Sequence, residues 1–246
     1  MALTLSDNSF SAVAKLIFST PEYQERIGLR ELMRTLRMSL EETEDYFEHG
    51  REVPTVLLVP GIACRAAVMK VLGEPLKEEF NVAYAPDFDC LGFADVYESA
   101  MLLRQKIDQV LAEHSDDVYL LGHSLGSLIG LEALRVRNGV SKVVMLSPPL
   151  KGSPHASLVK KLSPACRQLS PDSDYLKSLE EINLGDTEVY SYIAADDVVV
   201  PVGSQVPHEG ISNNLQVFMR PYLHHDFIIG QKARDFAERL KAVLDD

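Results

Sequence analysis

The most constraining stretch of the chain is Val118-Tyr-Leu-Leu-Gly-His-Ser-Leu-Gly126. An apolar run with β character, Val118 to Leu121, meets a Gly-His-Ser-Leu-Gly turn. A helix-like run from Ser127 to Leu134 follows at once. A strand, a G-x-S-x-G turn and a helix in that order are the context of a nucleophile elbow. Such a turn is sharp, and its serine takes a strained backbone conformation. Side chains at the two glycine positions would collide with the neighbouring strand and helix, so Gly122 and Gly126 have a steric reason to be there. Ser124 is thereby lifted to the N-terminus of a helix, whose dipole favours negative charge.

The alternation on either side of this stretch sets the fold class. Thr55–Val59, Phe80–Tyr84, Val140–Leu146, Glu188–Ile193 and Leu215–Met219 read as further strands. Helical patterns lie between them at Ile62–Leu72 and Asp95–His114, and a last one runs from Asp226 to Leu244. Strands spaced by helices predict an α/β fold: a mostly parallel sheet with helices on both faces. Residues 54–246 read as one domain. Residues 1–53 read as a helical N-terminal extension packed on it, with an apolar stripe at Leu29, Leu32, Met33, Leu36 and Leu40 and a solvated helix end over Glu41–Glu48. Lys151–Asp186 interrupts the alternation with three Ser-Pro pairs and short helical patches. It is expected to form a cap over the elbow, with Leu158, Val159, Leu162, Leu169, Leu176 and Leu179 facing inward.

Charge and cysteine content narrow the partners. The formal net charge of −12 argues against nucleic acid and against docking on anionic membranes, and leaves neutral or apolar substrates open. Cys64, Cys90 and Cys166 are too few and too scattered for a disulfide framework or a metal site. The first ten residues carry no positive region ahead of an apolar stretch, so neither a signal peptide nor a membrane span is expected. The expected location is cytoplasmic.

A serine hydroxyl needs a base, and the base needs a carboxylate to hold its tautomer. On an elbow of this kind the chain order is Ser, acid, His. After the fifth strand come Asp196 and Asp197. Near or after the sixth come His208, His224 and His225, of which the adjacent pair sits where a loop can return over Ser124. His123 is not expected to be the base, because neighbouring side chains at an elbow point apart. An oxyanion hole would take one N–H from Leu125, the residue after the serine, and one from Ile62 or Ala63 in the loop after the first strand.

These residues resemble the α/β-hydrolase superfamily, and within it the lipase-like esterases, from about Pro54 to the C-terminus. Val59-Pro-Gly-Ile62 is similar to the His-Gly oxyanion loop of bacterial lipases, with Pro60 in the place of His; the resemblance selects Ile62. Asp197-Val-Val-Val-Pro201 is similar to the family's Asp-x-Val-Val-Pro stretch and selects Asp197. His224-His-Asp-Phe-Ile is similar to the segment around the catalytic histidine of acid lipases and selects His224. The resemblance implies a cofactor-free, metal-free serine hydrolase of small-molecule or lipid-like esters. A thioesterase, an acyltransferase or a non-catalytic binding protein on the same fold are the alternatives.

Overall fold

A computed structural model describes residues 42–88, 93–136, 139–161 and 163–245. Six strands form one sheet: β1 (Thr55–Val59), β2 (Asn81–Tyr84), β3 (Val118–His123), β4 (Val140–Leu146), β5 (Glu188–Ala194) and β6 (Asn214–Arg220). Their spatial order is β2-β1-β3-β4-β5-β6, and every pairing is parallel. The chain moves outward from β1 to β2, then crosses back to place β3 on the other side of β1. The carboxyl ends of β1 and β3 therefore flank the point where the winding reverses, the usual crevice for a ligand in an open α/β sheet.

Helices cover both faces, as a parallel sheet requires. Leu57 and Val59 of β1 and Leu120 of β3 pack in the same cluster as α2 (Val96–Glu113) and α3 (Leu125–Leu134). Val56 and Leu58 alternate to the opposite face. There they meet the short 3-10 turn Ala66–Met69, α1 (Lys70–Leu76) and α8 (Gly230–Asp245). Helix α2 starts where Asp95 accepts a hydrogen bond from Tyr97 N at 2.8 Å, an N-cap that stops the helix from extending backward.

Between β4 and β5 lie three short helices, α4 (Pro154–Val159), α5 (Pro164–Gln168) and α6 (Asp174–Leu179). Each of α4 and α5 opens on a proline, whose missing N–H costs nothing in a first turn. Leu169, Leu176 and Leu179 are buried, but Leu158 is 74% exposed, against the expectation that it faces inward. The six-residue α4 turns Ala156 and Val159 to the core and leaves Leu158 on its outer side; Leu162 lies outside the described residues.

Three further expectations differ. The stripe of residues 29–40 lies outside the described residues, and 42–48 form no helix end: Tyr46 makes an isolated antiparallel bridge to Val82, and Asp45 accepts from Tyr84 N. The helix read over Ile62–Leu72 begins only at Ala66, after a turn in which Ala63 has a φ of 61°. The last helix starts at Gly230, because residues 225–229 are taken up by turns closing on His225 O. A short strand–helix link, α7 (Val202–Gln205), follows β5. Among the described residues no helix is long and apolar enough to cross a membrane.

Candidate active site

Four loops at the carboxyl end of the sheet bring the sequence candidates together. Ser124 follows β3 with φ 51° and ψ −122°, a conformation that costs on the order of 1–3 kcal/mol and persists only where the surroundings impose it. They do so here through space. A Cβ on Gly126 would lie 2.4 Å from Val59 O and 2.5 Å from Pro60 O, and one on Gly122 would lie 2.6 Å from Ser127 N. Neither glycine has a positive φ; both are needed for close approach, Gly126 to the end of β1 and Gly122 to the start of α3. Ser124 N donates to Leu146 O at 2.8 Å and Ser127 Oγ to Gly122 O at 2.7 Å, so the turn is held to β4 and to itself.

Ser124 Oγ lies 2.9 Å from His224 Nε2, and His224 Nδ1 lies 2.7 Å from Asp197 Oδ2. A carboxylate only accepts, so Nδ1 carries the proton and Nε2 offers its lone pair to the serine hydroxyl. Ser124 and His224 are almost buried, and the Asp197 side chain is fully so. Asp197 Oδ1 accepts from Val199 N at 2.7 Å and Val200 N at 2.9 Å, which fixes the carboxylate's rotation. Asp196, one residue earlier, is exposed and turns its N–H to Tyr222 O. His225 packs edge-on against His224 with ring centroids 4.9 Å apart, and His208 lies at the start of the 3-10 turn Glu209–Ile211.

Leu125 is the first residue of α3, so its N–H has no acceptor within the helix. Ile62 lines the same cavity as Ser124. Between them Gly61 runs along the elbow so tightly that a Cβ there would stand 3.1 Å from Ser124 Cβ. The cavity encloses about 620 Å3, part of it open to solvent. Its walls are mainly apolar: Ile62, Pro149, Ala156, Val159, Leu169 and Val200. Among the described residues, no group of three or more His, Cys, Asp or Glu side chains is arranged to hold a metal ion.

Sequence reasoning passed over two residues in contact with this line. His123 Nε2 donates to the backbone carbonyl of His224 at 2.9 Å, tying the loop after β6 to the elbow. Its Nδ1 has no partner among the described residues. Gln205 Nε2 lies 3.2 Å from Asp197 Oδ2. The sequence holds no signal for Gln205, since a lone glutamine after Pro201 has no motif around it.

Burial, with the nearby His224 as a second cause, pushes the His123 imidazolium down to about 3, and burial holds His225 well below the ordinary value too. Both rings bind protons more weakly folded than unfolded, so unfolding takes protons up and stability rises with pH across this range. Unfolding free energy is expected to be level above the unfolded imidazole value of about 6.5 and to fall below it, approaching about 2–3 kcal/mol per pH unit for two protons. Urea titrations at pH 7.5, 6.5, 5.5 and 5.0 measure this, and a flat profile would mean the two rings are not held neutral.

The model of the Alpha/beta hydrolase family matches residues 56–242. The chain belongs to the alpha/beta hydrolase family. Solved structures agree on the fold. Lipase B of Aspergillus fumigatus is 18% identical, with a TM-score of 0.59 over 74% of this chain and 50% of the lipase. The chain thus spans half the length of that lipase. A lipase-esterase related protein from Clostridium acetobutylicum is 17% identical, with a TM-score of 0.58 over 81% of this chain and 97% of that one. Est1E from Butyrivibrio proteoclasticus is 13% identical, with a TM-score of 0.60 over 82% and 90%. No curated protein matches the sequence significantly. For this alpha/beta hydrolase the likeness to those structures is one of fold.

Proposed function

We propose that the protein is a serine hydrolase of carboxylic esters, with Ser124 as nucleophile, His224 as base and Asp197 as its orienting acid. One observation carries the reading: the hydrogen-bonded line Ser124–His224–Asp197, raised on a strained elbow at an apolar cavity. In the first step Ser124 Oγ bonds to the acyl carbon while His224 Nε2 takes its proton, and the carbonyl electron pair moves onto oxygen. The N–H groups of Leu125 and Ile62 hold that oxyanion. Its collapse expels the alcohol, which leaves with the proton from His224. Water then attacks the acyl-enzyme, gives its proton to His224 and releases the acid, and Ser124 regains its hydrogen. Asp197 stabilises the imidazolium at each stage. No step calls for a metal or an organic cofactor.

The segment 151–186 acts as the cap of a hydrolase domain spanning 54–246, with Ala156, Val159 and Leu169 offering apolar contact to an acyl group. The surplus of acidic residues disfavours nucleic acid as partner, and the free thiols Cys64 and Cys166 fit a cytoplasmic protein. Small uncharged esters are the substrate class. The expected result is covalent labelling at Ser124 by a fluorophosphonate, together with turnover across a chain-length series of p-nitrophenyl esters that exceeds turnover of acyl-CoA thioesters. Absence of labelling in folded protein would sink the hydrolase reading; faster thioester cleavage would make it a thioesterase.

A further inference from the structure

We infer that Gln205 is a positioning residue for the acid of this site, its side-chain amide standing in for a strand that ends too soon and aiming Asp197 at His224. The inference rests on the hydrolase reading above. Strand β4 stops pairing at Leu146, opposite Tyr192, and the chain turns away at Ser147 with a φ of 48°. Strand β5 runs two residues further, to Ala194. Ser147 N donates to Tyr192 O, so main-chain groups two residues on, at Ala194, face the side that β4 has left; Ala195 N instead donates to Arg220 O on the β6 side. A carboxamide has one acceptor and one donor group, like a peptide. Gln205 Oε1 accepts from Ala194 N at 2.8 Å, and Nε2 faces Ala194 O at 3.2 Å. Nε2 also reaches Val200 O at 2.8 Å and Asp197 Oδ2 at 3.2 Å, two hydrogens serving three acceptors. The side chain is fully buried. It thus binds the end of β5, the far side of the acid loop and the carboxylate oxygen that His224 uses.

Losing this donor leaves more charge on Oδ2, which favours the imidazolium over the free base, so on acidification activity is lost from a higher pH. The test measures kcat/KM against pH on a short-chain ester, with Tm alongside, for wild type, Gln205→Leu, Asp197→Asn and the double variant. Gln205→Leu is expected to lose roughly 10- to 100-fold in kcat/KM, since small misplacements of reacting groups cost that much. Its acidic limb should rise by about half a pH unit or more. In the Asp197→Asn background the same substitution should change kcat/KM by less than about 2-fold, because the route through Asp197 is already gone. A lower Tm with an unmoved acidic limb, or equal losses in both backgrounds, overturns the inference in favour of a structural role. Should Gln205→Leu not fold, Gln205→Glu takes its place, keeping an oxygen for Ala194 N and setting a second carboxyl beside Asp197. Its limb should rise further, and an unmoved limb or loss of folding in both variants again overturns the inference. A wild-type protein that neither labels nor cleaves esters fails the hydrolase reading itself and takes this inference with it.

Discussion

Ser124→Ala is expected to lower kcat on a short-chain ester by about a million-fold, to abolish fluorophosphonate labelling, and to leave the fold intact. The size follows from the way the site divides its work. In the proposed mechanism the hydroxyl is the only atom of the line that bonds to substrate, so nothing replaces it. The substitution is not expected to unfold the protein, because among the described residues the Ser124 hydroxyl bonds only to His224 Nε2, and Ser124 N keeps its bond to Leu146 O. The strained φ of 51° suits alanine no better than serine, so Tm should move by only a few degrees. His224→Ala should cost about as much, and the double variant little more than either alone, since a nucleophile and its base act as one unit. His225→Ala is the control. Its ring touches His224, yet His224 is the one hydrogen-bonded to both Ser124 and Asp197. A loss under about tenfold is expected there. An inactive His225→Ala beside an active His224→Ala would move the base by one residue.

What the sequence made legible is what local pattern controls. Apolar runs mark the inner strands because strands buried on both faces are apolar throughout, and β1 is buried at all five positions, whereas edge strand β6 has no buried position. The elbow is legible because its two glycines answer to close approach at a fixed spacing. Order along the chain brings the proposed acid and base to neighbouring loops, but each arrives as an adjacent pair, and spacing alone does not choose within it. The structure separates the members of each pair physically: Asp197 faces inward where Val199 and Val200 amides hold it, while Asp196 turns to solvent. Helix starts were misread where a loop does local work. The helical pattern starts the last helix at Asp226, but that carboxylate accepts from Leu223 N at 2.8 Å and from Lys232, closing the turn that presents His224. Gln205 had no signal at all, because its partners exist only once β4 ends before β5 does. The excursion after β4 behaves likewise: Ser153 Oγ donates to Val199 O at 2.6 Å, joining that segment to the acid loop across 46 residues of chain.

Asp197→Asn is expected to lower kcat by about ten-thousand-fold, and Asp196→Asn by less than about threefold. The argument turns on which way the new amide must point. Oδ1 of Asp197 accepts from two backbone N–H groups, at 2.7 and 2.9 Å, and an NH2 in that place would face two donors. Asparagine therefore keeps its oxygen there and presents its NH2 toward His224 Nδ1. That nitrogen must then accept, which moves the ring proton to Nε2. The nitrogen that should receive the hydroxyl proton of Ser124 now carries one of its own, so the base is present in the wrong tautomer. Distances within the site should hardly change, and fluorophosphonate labelling should slow in step with ester turnover, since both need the same proton transfer. Asp196 is exposed, and the carboxylate on His224 Nδ1 is that of Asp197. Rates for the two variants, taken with single-turnover labelling, separate the carboxylates directly: an Asp197→Asn enzyme within tenfold of wild type, next to a disabled Asp196→Asn enzyme, would assign the acid to the earlier residue.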